Sequence, residues 1–195
     1  MRNISNFYYN LNGIYNRTCD YFAYLYRYDW TIVPEFTNKT DTEKALKDFA
    51  NLLRYFDNSY IKKICGDIAL KVILEGAYYG YRVQSDKGVV LQDLPIEYCR
   101  SRYNVNNMPA VEFDMRYFDT FSDPAYRMKV LGLFPDEFSK GYLLYKKHKL
   151  PADSALEYGS WYLLDPQYAV KFSGGINDVP MFVKAIPALI DLDAA

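Results

Sequence analysis

The stretch from Ser59 to Tyr103 constrains the fold most, because its apolar pattern changes from a helical period to a strand period within a few residues. A period of 3.6 residues places the apolar side chains of the first part on one stripe of a helix. That stripe comprises Ile61, Ile64, Cys65, Ile68, Ala69 and Val72. Burying about five such side chains at roughly 1.5–3 kcal/mol each contributes on the order of 10 kcal/mol. We therefore expect this helix to pack against a sheet and to form the centre of the core.

The pattern changes to a period of two after Gly76, which predicts a strand. Larger and smaller or polar residues then alternate in the order Tyr79, Gly80, Tyr81, Arg82, Val83 and Gln84. Asp86-Lys87-Gly88 predicts a hairpin with Gly88 in the left-handed position of a bulged turn.

Two amphipathic helices are predicted before this stretch. Asn10 or Asn12 can cap the first, which runs to about Tyr28. Thr40–Glu43 has the spacing of a capping box and starts the second helix, which we expect to pair with the Ser59 helix across a tight turn. A short strand over residues 30–33 separates the two. The apolar face of the first helix comprises Ile14, Tyr15, Thr18, Tyr21, Phe22, Leu25 and Tyr26, and that of the second Ala45, Leu46, Phe49, Leu53 and Phe56.

Strict alternation over Val111–Tyr117 predicts a strand with one apolar and one charged face. The charged row is Glu112, Asp114 and Arg116. We interpret it as a solvated face rather than as a pair of catalytic carboxylates, because nothing in the sequence marks a burial that would shift their pKa values. Phe113→Ala is then expected to destabilise the fold by a few kcal/mol, and Asp114→Ala to change melting little.

The segments around this strand carry turn and helix signals. Ile96–Tyr103 is predicted as a strand and Asn104–Asn107 as a turn. Ser122-Asp123-Pro124 predicts one helix start, and a further helix is predicted from Pro135 to Lys147. His148 follows in a basic run, and we interpret it as a surface residue.

The C-terminal part is predicted to contain short strands and an apolar end. Pro151–Gly159 is predicted as a loop, Trp161–Leu164 as a strand and Tyr168–Phe172 as its continuation or partner. Ser173-Gly174-Gly175 is interpreted as a flexible turn. Asp191–Ala195 resembles the acid-rich first turn of a helix that the chain does not contain, which suggests one part of a longer polypeptide.

Composition limits the partners of the chain. Its formal net charge of -1 gives no global electrostatic reason to expect nucleic acid or an anionic membrane as a direct partner. No apolar run is long enough to cross a bilayer and the N-terminus has no signal-peptide core, so we expect a soluble intracellular protein. Cys19, Cys65 and Cys99 are interpreted as reduced packing residues rather than as disulfides or metal ligands. A length of 195 residues predicts a single domain over residues 1–195.

The aromatic content leaves two interpretations open. The 21 Tyr, 12 Phe and 2 Trp make up 18% of the chain. Tyr is favoured at protein interfaces, and it also suits half-buried strands.

No catalytic, cofactor-binding or metal-binding residues are predicted. The chain contains one His and has no Gly-x-Ser-x-Gly, no His-Glu-x-x-His and no phosphate-binding loop. We therefore expect a protein that is not an enzyme, with an α+β fold in which amphipathic helices pack on a small, mainly antiparallel sheet.

Several segments, taken in order, resemble the portal (head–tail connector) proteins of tailed bacteriophages. They are Gly13–Arg17, Tyr21–Trp30, the helix and hairpin through Gly88, Leu94–Arg100, Val111–Asp114, Trp161–Phe172 and Pro187–Leu192. Their order, rather than a chemical signature, carries the resemblance. The chain is similar to the N-terminal wing region, and the stem, clip and crown of such proteins have no counterpart in it.

The resemblance implies a structural role in a virion that is assembled in the host cytoplasm. A portal is a ring of identical subunits at one capsid vertex, through which terminase drives DNA and to which the tail attaches. Its implied partners are identical subunits, capsid, tail-adaptor and terminase proteins, and DNA in the channel of the full-length ring, with no membrane and no cofactor. The alternative is a non-enzymatic, non-viral interaction module that binds a protein through an aromatic-rich surface.

Overall fold

The computed structural model describes residues 1–25, 31–33, 42–85, 88–152, 159–175 and 177–193. The helices are α1 (Arg2–Leu11), α2 (Gly13–Tyr24), α3 (Thr42–Asn58), α4 (Ile61–Glu75), α5 (Pro124–Leu131), α6 (Asp136–Lys146) and α7 (Ile186–Asp193). The strands are β1 (Ala77–Ser85), β2 (Gly88–Asp93), β3 (Cys99–Arg100), β4 (Asn104–Val105), β5 (Met108–Pro109), β6 (Glu112–Asp114), β7 (Trp161–Leu163) and β8 (Ala169–Ser173). Short 3-10 helices cover Ile96–Tyr98, Met115–Thr120 and Val183–Ala185.

Helices and small sheets together form an α+β fold, as predicted. One sheet has the strand order β2-β1-β8, and a second has the order β3-β6-β7 with antiparallel pairing throughout. Strands β4 and β5 form a separate antiparallel hairpin. No helix in the described ranges is both long and apolar enough to cross a membrane.

The chain divides into two compact units. Unit 1 comprises Met1–Tyr78, Gln84–Val90 and Phe172–Ala195, and unit 2 comprises Tyr79–Val83 and Leu91–Lys171. The expectation of a single domain stays a prediction, because compactness alone does not establish whether a unit folds independently.

The core of unit 1 lies between helices. Helix α4 packs on α2 and α1, and the buried cluster comprises Tyr15, Cys19, Ala23, Ile73, Leu74 and Ile186. The sequence predicted a sheet as the partner of α4, but these core contacts come from helices.

The buried face of α4 is rotated away from the predicted stripe. Cys65 is exposed, and the rest of the stripe is only half-buried. The fully buried positions of α4 are Gly66, Ile73 and Leu74. Gly66 decides this orientation, because a Cβ there would lie 2.5 Å from Cδ1 of Tyr24 on α2, so the two helices meet where a side chain is missing.

Gly76 ends α4 as the predicted change of period indicates. It has a φ of 88°, and its N–H donates to the carbonyl of Val72. The other glycine expectation is wrong, because Gly88 begins β2 and Gly76 alone among the described glycines has a positive φ. Asp86 and Lys87 lie outside the described residues. Strand β1 is buried on both faces from Ala77 to Tyr81. The alternation of residue types there does not separate a solvent-exposed face from a buried one.

The N-terminal region contains two helices where the sequence predicted one. Asn12 caps α2, since its side chain accepts from the N–H groups of Ile14 and Tyr15, whereas α1 before it was not predicted. The predicted apolar face of α2 is largely wrong, because Ile14, Tyr21 and Phe22 are exposed and the buried residues are Tyr15, Cys19 and Ala23. Residues 26–28 lie outside the described part.

Helix α3 confirms the second predicted amphipathic helix, but its predicted apolar residues are half-buried, with Leu46 exposed. Its expected pairing with α4 stays a prediction. Thr40 and Asp41 of the expected capping box lie outside the described residues. Residues 31–33 form no strand, which contradicts the strand expected there, and Trp30 is not described.

In unit 2, the region before β6 is broken into shorter pieces than predicted. The single strand expected over Ile96–Tyr103 is a 3-10 helix followed by the two residues of β3. The predicted turn is confirmed at Asn106 and Asn107, which have φ values of 50° and 63° and connect β4 to β5. Two consecutive positive φ values are what a two-residue hairpin turn requires.

Strand β6 corrects the strand expected over Val111–Tyr117. It ends at Asp114, where a 3-10 helix begins, and it is buried on both faces. Glu112 and Asp114 are therefore not a solvated row. The alternation is real, but both faces meet protein.

The remaining elements of unit 2 follow the predictions closely. Asp123 caps α5 by accepting from the N–H of Ala125, and α6 starts directly after Pro135. Strand β7 pairs with β6. Of the predicted loop, residues 153–158 lie outside the described part.

The C-terminal elements differ from prediction in their partners. Strand β8 exists, but it neighbours β1 in a different sheet and is neither the continuation nor the partner of β7. Asp191 lies within α7, which begins at Ile186, so the helix expected to start at Asp191 starts five residues earlier.

Candidate functional site

Glu112 is a buried carboxylate of unit 2 that is shared by two arginines. It lies directly opposite Arg100 in the antiparallel register of β3 and β6. Its Oε2 accepts from Nε of Arg100 at 2.7 Å and from Nε of Arg102 at 3.0 Å, and its Oε1 accepts from a terminal nitrogen of Arg102 at 3.0 Å. The guanidinium of Arg100 also lies 3.9 Å from the ring centre of Trp161 on β7. The cluster therefore braces all three strands of this sheet.

Asp114 is engaged in the same way two residues further along β6. Its side chain accepts from the backbone N–H of Arg116 at 3.1 Å and so caps the 3-10 helix that follows. A terminal nitrogen of Arg116 donates to Oδ2 at 2.6 Å. A carboxylate whose lone pairs are occupied by a guanidinium and a backbone N–H is a structural anchor rather than a free base.

Glu137, near the start of α6, connects two other parts of unit 2. Its Oε2 accepts from the hydroxyl of Tyr81 at 2.6 Å, and its Oε1 accepts from the N–H of Asp165 at 2.8 Å. Burial, reinforced by the hydrogen bond to Glu137, raises the pKa of Tyr81. Tyr81 therefore stays protonated and donates this bond over the whole physiological range.

Asp119 accepts a cluster of hydrogen bonds from α6. The hydroxyl of Tyr142 donates to its Oδ1 at 2.7 Å and the ammonium of Lys146 to its Oδ2 at 2.7 Å. Burial alone would raise the pKa of Asp119, but hydrogen bonds from Lys146, Tyr142 and Tyr145 outweigh it, and the pKa is lowered. The same pairing raises the pKa of Lys146 against the opposing effect of its own burial.

Aromatic rings fill the interior between these anchors. Phe113 on β6 lies with its ring centre 5.2 Å from that of Phe138 on α6 and 6.0 Å from that of Phe118. Phe134 lies 5.0 Å from Phe138 and 5.2 Å from Phe118. Unit 2 thus has an aromatic interior whose surrounding carboxylates are each held by a cation, a hydroxyl or a backbone N–H.

Other residues singled out in the sequence lie apart from any such cluster. His148 is exposed, as predicted. Cys19 and Cys99 are buried and Cys65 is exposed. Burial raises the pKa of the Cys19 thiol to about 11, which leaves it protonated and unreactive at neutral pH. No group of three or more His, Cys, Asp or Glu side chains within the described ranges could hold a metal ion.

The second candidate region is a set of exposed apolar side chains on α1 and α2 of unit 1, which we call the outer patch. It consists of Ile4, Phe7, Leu11, Ile14 and Tyr21, whose exposed fractions lie between 50% and 68%. The first three follow i, i+3, i+7 spacing on α1, and the last two are seven residues apart on α2, so each set lies along one side of its helix.

Helix α1 places hydroxyl groups as well as aromatic rings against the rest of unit 1. The one fully buried residue of α1 is Ser5, whose hydroxyl is 2.9 Å from the hydroxyl of Tyr15 on α2. Tyr9 also faces α2 and donates to Asp20 at 2.7 Å. Burial together with this hydrogen bond raises the pKa of Tyr9 to about 12. Hydrogen bonds between side-chain groups thus connect the two helices, while Tyr8 and Tyr9 also pack against the buried cluster of unit 1. Ile4, Phe7 and Leu11 are left exposed.

The sequence alone did not identify the outer patch, although it contained the signal. Ile14 and Tyr21 were placed on a core-facing stripe, and α1 was not predicted. The signal was an apolar residue at positions 4, 7 and 11, which lie on one side of a helix and are each followed by a Ser, Tyr or Asn.

Comparisons with protein-family models, with curated proteins and with solved structures find no match for this chain.

Proposed function

We propose that this chain is the wing-region portion of a bacteriophage portal subunit, and hence a structural protein rather than an enzyme. In this proposal, identical subunits form a ring at one capsid vertex that supports DNA packaging, ejection and head–tail joining. Capsid, tail-adaptor and terminase proteins are its further partners, DNA passes through the channel of the full-length ring, and the virion is its location.

The observation that carries the proposal is the use of carboxylates in unit 2. Glu112, Asp114, Asp119 and Glu137 each accept hydrogen bonds that join secondary structure elements. Such bracing suits a scaffold that must hold its shape under load. The α+β fold and the ordered sequence resemblance to portal wing regions support the same assignment.

The test is the assembly state of the longest polypeptide that the gene encodes. We expect light scattering to give the mass of a large oligomer and electron microscopy to show a closed ring. A full-length product that is a monomer or a dimer would contradict the portal assignment, whatever the behaviour of residues 1–195.

The outer patch also favours a second candidate, a non-enzymatic module that binds a different protein through its apolar and aromatic surface. This candidate expects a monomeric full-length product. The two proposals therefore predict different masses for the same sample.

A further inference from the structure

The peptide pair Asn12-Gly13 lies at the junction of α1 and α2, and Asn12 serves both helices. Its backbone N–H donates to the carbonyl of Tyr8 in α1 at 2.8 Å. Its side-chain oxygen accepts from the N–H groups of Ile14 and Tyr15 at the start of α2. No other asparagine in the chain is followed by glycine. A covalent change at Asn12 would therefore act on both helices.

Asparagine followed by glycine is chemically reactive without an enzyme. The backbone nitrogen of the glycine attacks Cγ of the asparagine, because glycine has no Cβ to hinder the approach. The new N–Cγ bond closes a succinimide ring, the Cγ–Nδ2 bond breaks, and the amide group leaves as ammonia with the proton of the attacking nitrogen. Water then adds to either ring carbonyl and opens the ring to aspartate or to isoaspartate, whose backbone runs through Cβ.

Two features of the structure hold Asn12 away from this reaction. Its backbone is extended, with a ψ of 115°, which places the nitrogen of Gly13 on the Hα side of Asn12 and away from Cβ. Its side-chain oxygen is held by two N–H groups of α2, so Cγ cannot turn toward that nitrogen unless the cap breaks. Nothing lies within 4 Å of a Cβ built at Gly13, so the protection comes from the cap rather than from packing around Gly13.

We propose that Asn12-Gly13 is a spontaneous modification site that the α2 cap keeps closed in the folded chain, and that conversion to isoaspartate uncouples α1 from α2. An aspartate product keeps the backbone, and its carboxylate accepts the same N–H groups at the positive end of the helix. Isoaspartate adds a methylene group to the backbone, so the bond to Tyr8 and the cap on Ile14 and Tyr15 are no longer made together. The site does not depend on which of the two candidate functions holds.

The experiment follows conversion of the 195-residue chain in mildly alkaline buffer, with and without unfolding urea, and circular dichroism verifies the folded sample. Cleavage after arginine releases the peptide 3–17, in which tandem mass spectrometry assigns the exchange of NH2 for OH to a single asparagine. In urea, Asn12 should convert faster than Asn10, which is followed by leucine. In the folded chain, Asn12 should convert at least about tenfold more slowly than in urea, because its side chain must first leave the cap.

Two variants separate the chemistry from the fold. Gly13→Ala should keep the cap, since the methyl group has room, and should lose most of the product in urea, since a Cβ hinders the attack. Asn12→Asp should melt at the wild-type temperature or above it. The isoaspartate fraction of the wild-type chain, separated by chromatography and refolded, should melt at a lower temperature than Asn12→Asp.

Each part of the inference has an outcome that overturns it. Equal conversion rates of Asn12 in the folded chain and in urea would exclude protection by the cap. Conversion of Gly13→Ala in urea at the wild-type rate would show that the nitrogen of residue 13 is not the attacking group. An isoaspartate fraction that melts together with Asn12→Asp would show that α1 and α2 stay coupled after the modification.

Discussion

Glu112 shows how one side chain can fix the geometry of a small sheet. Its side chain is 10% exposed and is shared by two arginines. Glu112→Gln keeps the shape of the side chain but removes the charge that pairs with Arg100 and Arg102. Removing one partner of a buried pair costs about 3–5 kcal/mol, and the partial exposure of Arg102 reduces this to an expected loss of roughly 2–4 kcal/mol in urea unfolding.

Glu97 provides the matched control, since it is an exposed glutamate three residues before Arg100. Glu97→Gln should change the free energy of unfolding by no more than about 0.5 kcal/mol. Equal effects of the two substitutions would mean that the arginine pair contributes nothing specific.

The lowered pKa of Asp119 predicts that part of the stability of the fold depends on pH. Its pKa is lowered in the folded state, so its ionised form stabilises the fold above the unfolded value of about 3.9, and this stabilisation is lost as pH falls through the folded pKa. Asp119→Asn should therefore melt at a lower temperature than the wild type at pH 7, and the difference should shrink below about pH 4.

The control for this pH profile is Asp48→Asn, at an exposed position on α3. Its melting temperature should follow that of the wild type across the whole range. A difference for Asp119→Asn that persists unchanged at the acid end would show that the hydrogen bonds do not depend on the charge.

At the level of single residues, the sequence could not reveal these carboxylates as buried. Strict alternation in β6 correctly indicates two distinct faces, but not that both are covered. The cover for Glu112 comes from Arg100 and Arg102, which reach it only because β3 pairs with β6 in a particular register. The expectation that Asp114→Ala changes melting little is therefore replaced by one of clear destabilisation, because the substitution removes both the cap of the 3-10 helix and the ion pair with Arg116.

At the level of elements, the cap between α1 and α2 gives a sharp choice between two asparagines. Asn12 accepts from the N–H groups of Ile14 and Tyr15 at 3.0 and 2.9 Å. Asn12→Ala should destabilise unit 1 by about 1–2 kcal/mol. Asn10→Ala should have little effect, because Asn10 is exposed and donates to the carbonyl of Asn6 within its own helix. Thermal melting of the two variants tests this. A larger drop in melting temperature for Asn10→Ala would show that Asn10, and not Asn12, caps the helix.

The contact between α2 and α4 reverses the usual effect of replacing a helical glycine. Gly→Ala inside a helix ordinarily stabilises by up to about 1 kcal/mol. At Gly66 the new methyl group would lie 2.5 Å from Cδ1 of Tyr24, and overpacking of this kind typically costs about 1–3 kcal/mol. We expect a net loss of stability in urea unfolding.

Two variants check that explanation. Gly13→Ala places a methyl group at the start of α2, where nothing lies within 4 Å, and should be neutral or stabilising. The cost of Gly66→Ala should also vanish in a Tyr24→Ala background, because the ring that it meets is gone. If Gly66→Ala costs the same stability in the Tyr24→Ala background, the loss comes from the backbone of α4 and not from the ring of Tyr24.

The elements that the sequence predicted well are those whose signals are local. Proline and aspartate at the starts of α5 and α6, Gly76 at the end of α4 and the asparagine pair between β4 and β5 act within a few residues. Helix α1 and the buried face of α4 were missed because they depend on partners. Ser5 is buried only because Tyr15 accepts or donates a hydrogen bond there, and Gly66 is buried only because Tyr24 occupies the space of a missing side chain.

At the level of the whole molecule, the two candidate functions predict different assembly states for the longest polypeptide that the gene encodes. A ring of identical subunits needs a heterologous contact that each copy repeats with the next until the ring closes. We therefore expect light scattering to give the mass of a large oligomer and electron microscopy to show closed rings. An interaction module that binds a different protein needs no contact between copies, so a full-length product with the mass of a single chain would favour that candidate and contradict the portal assignment.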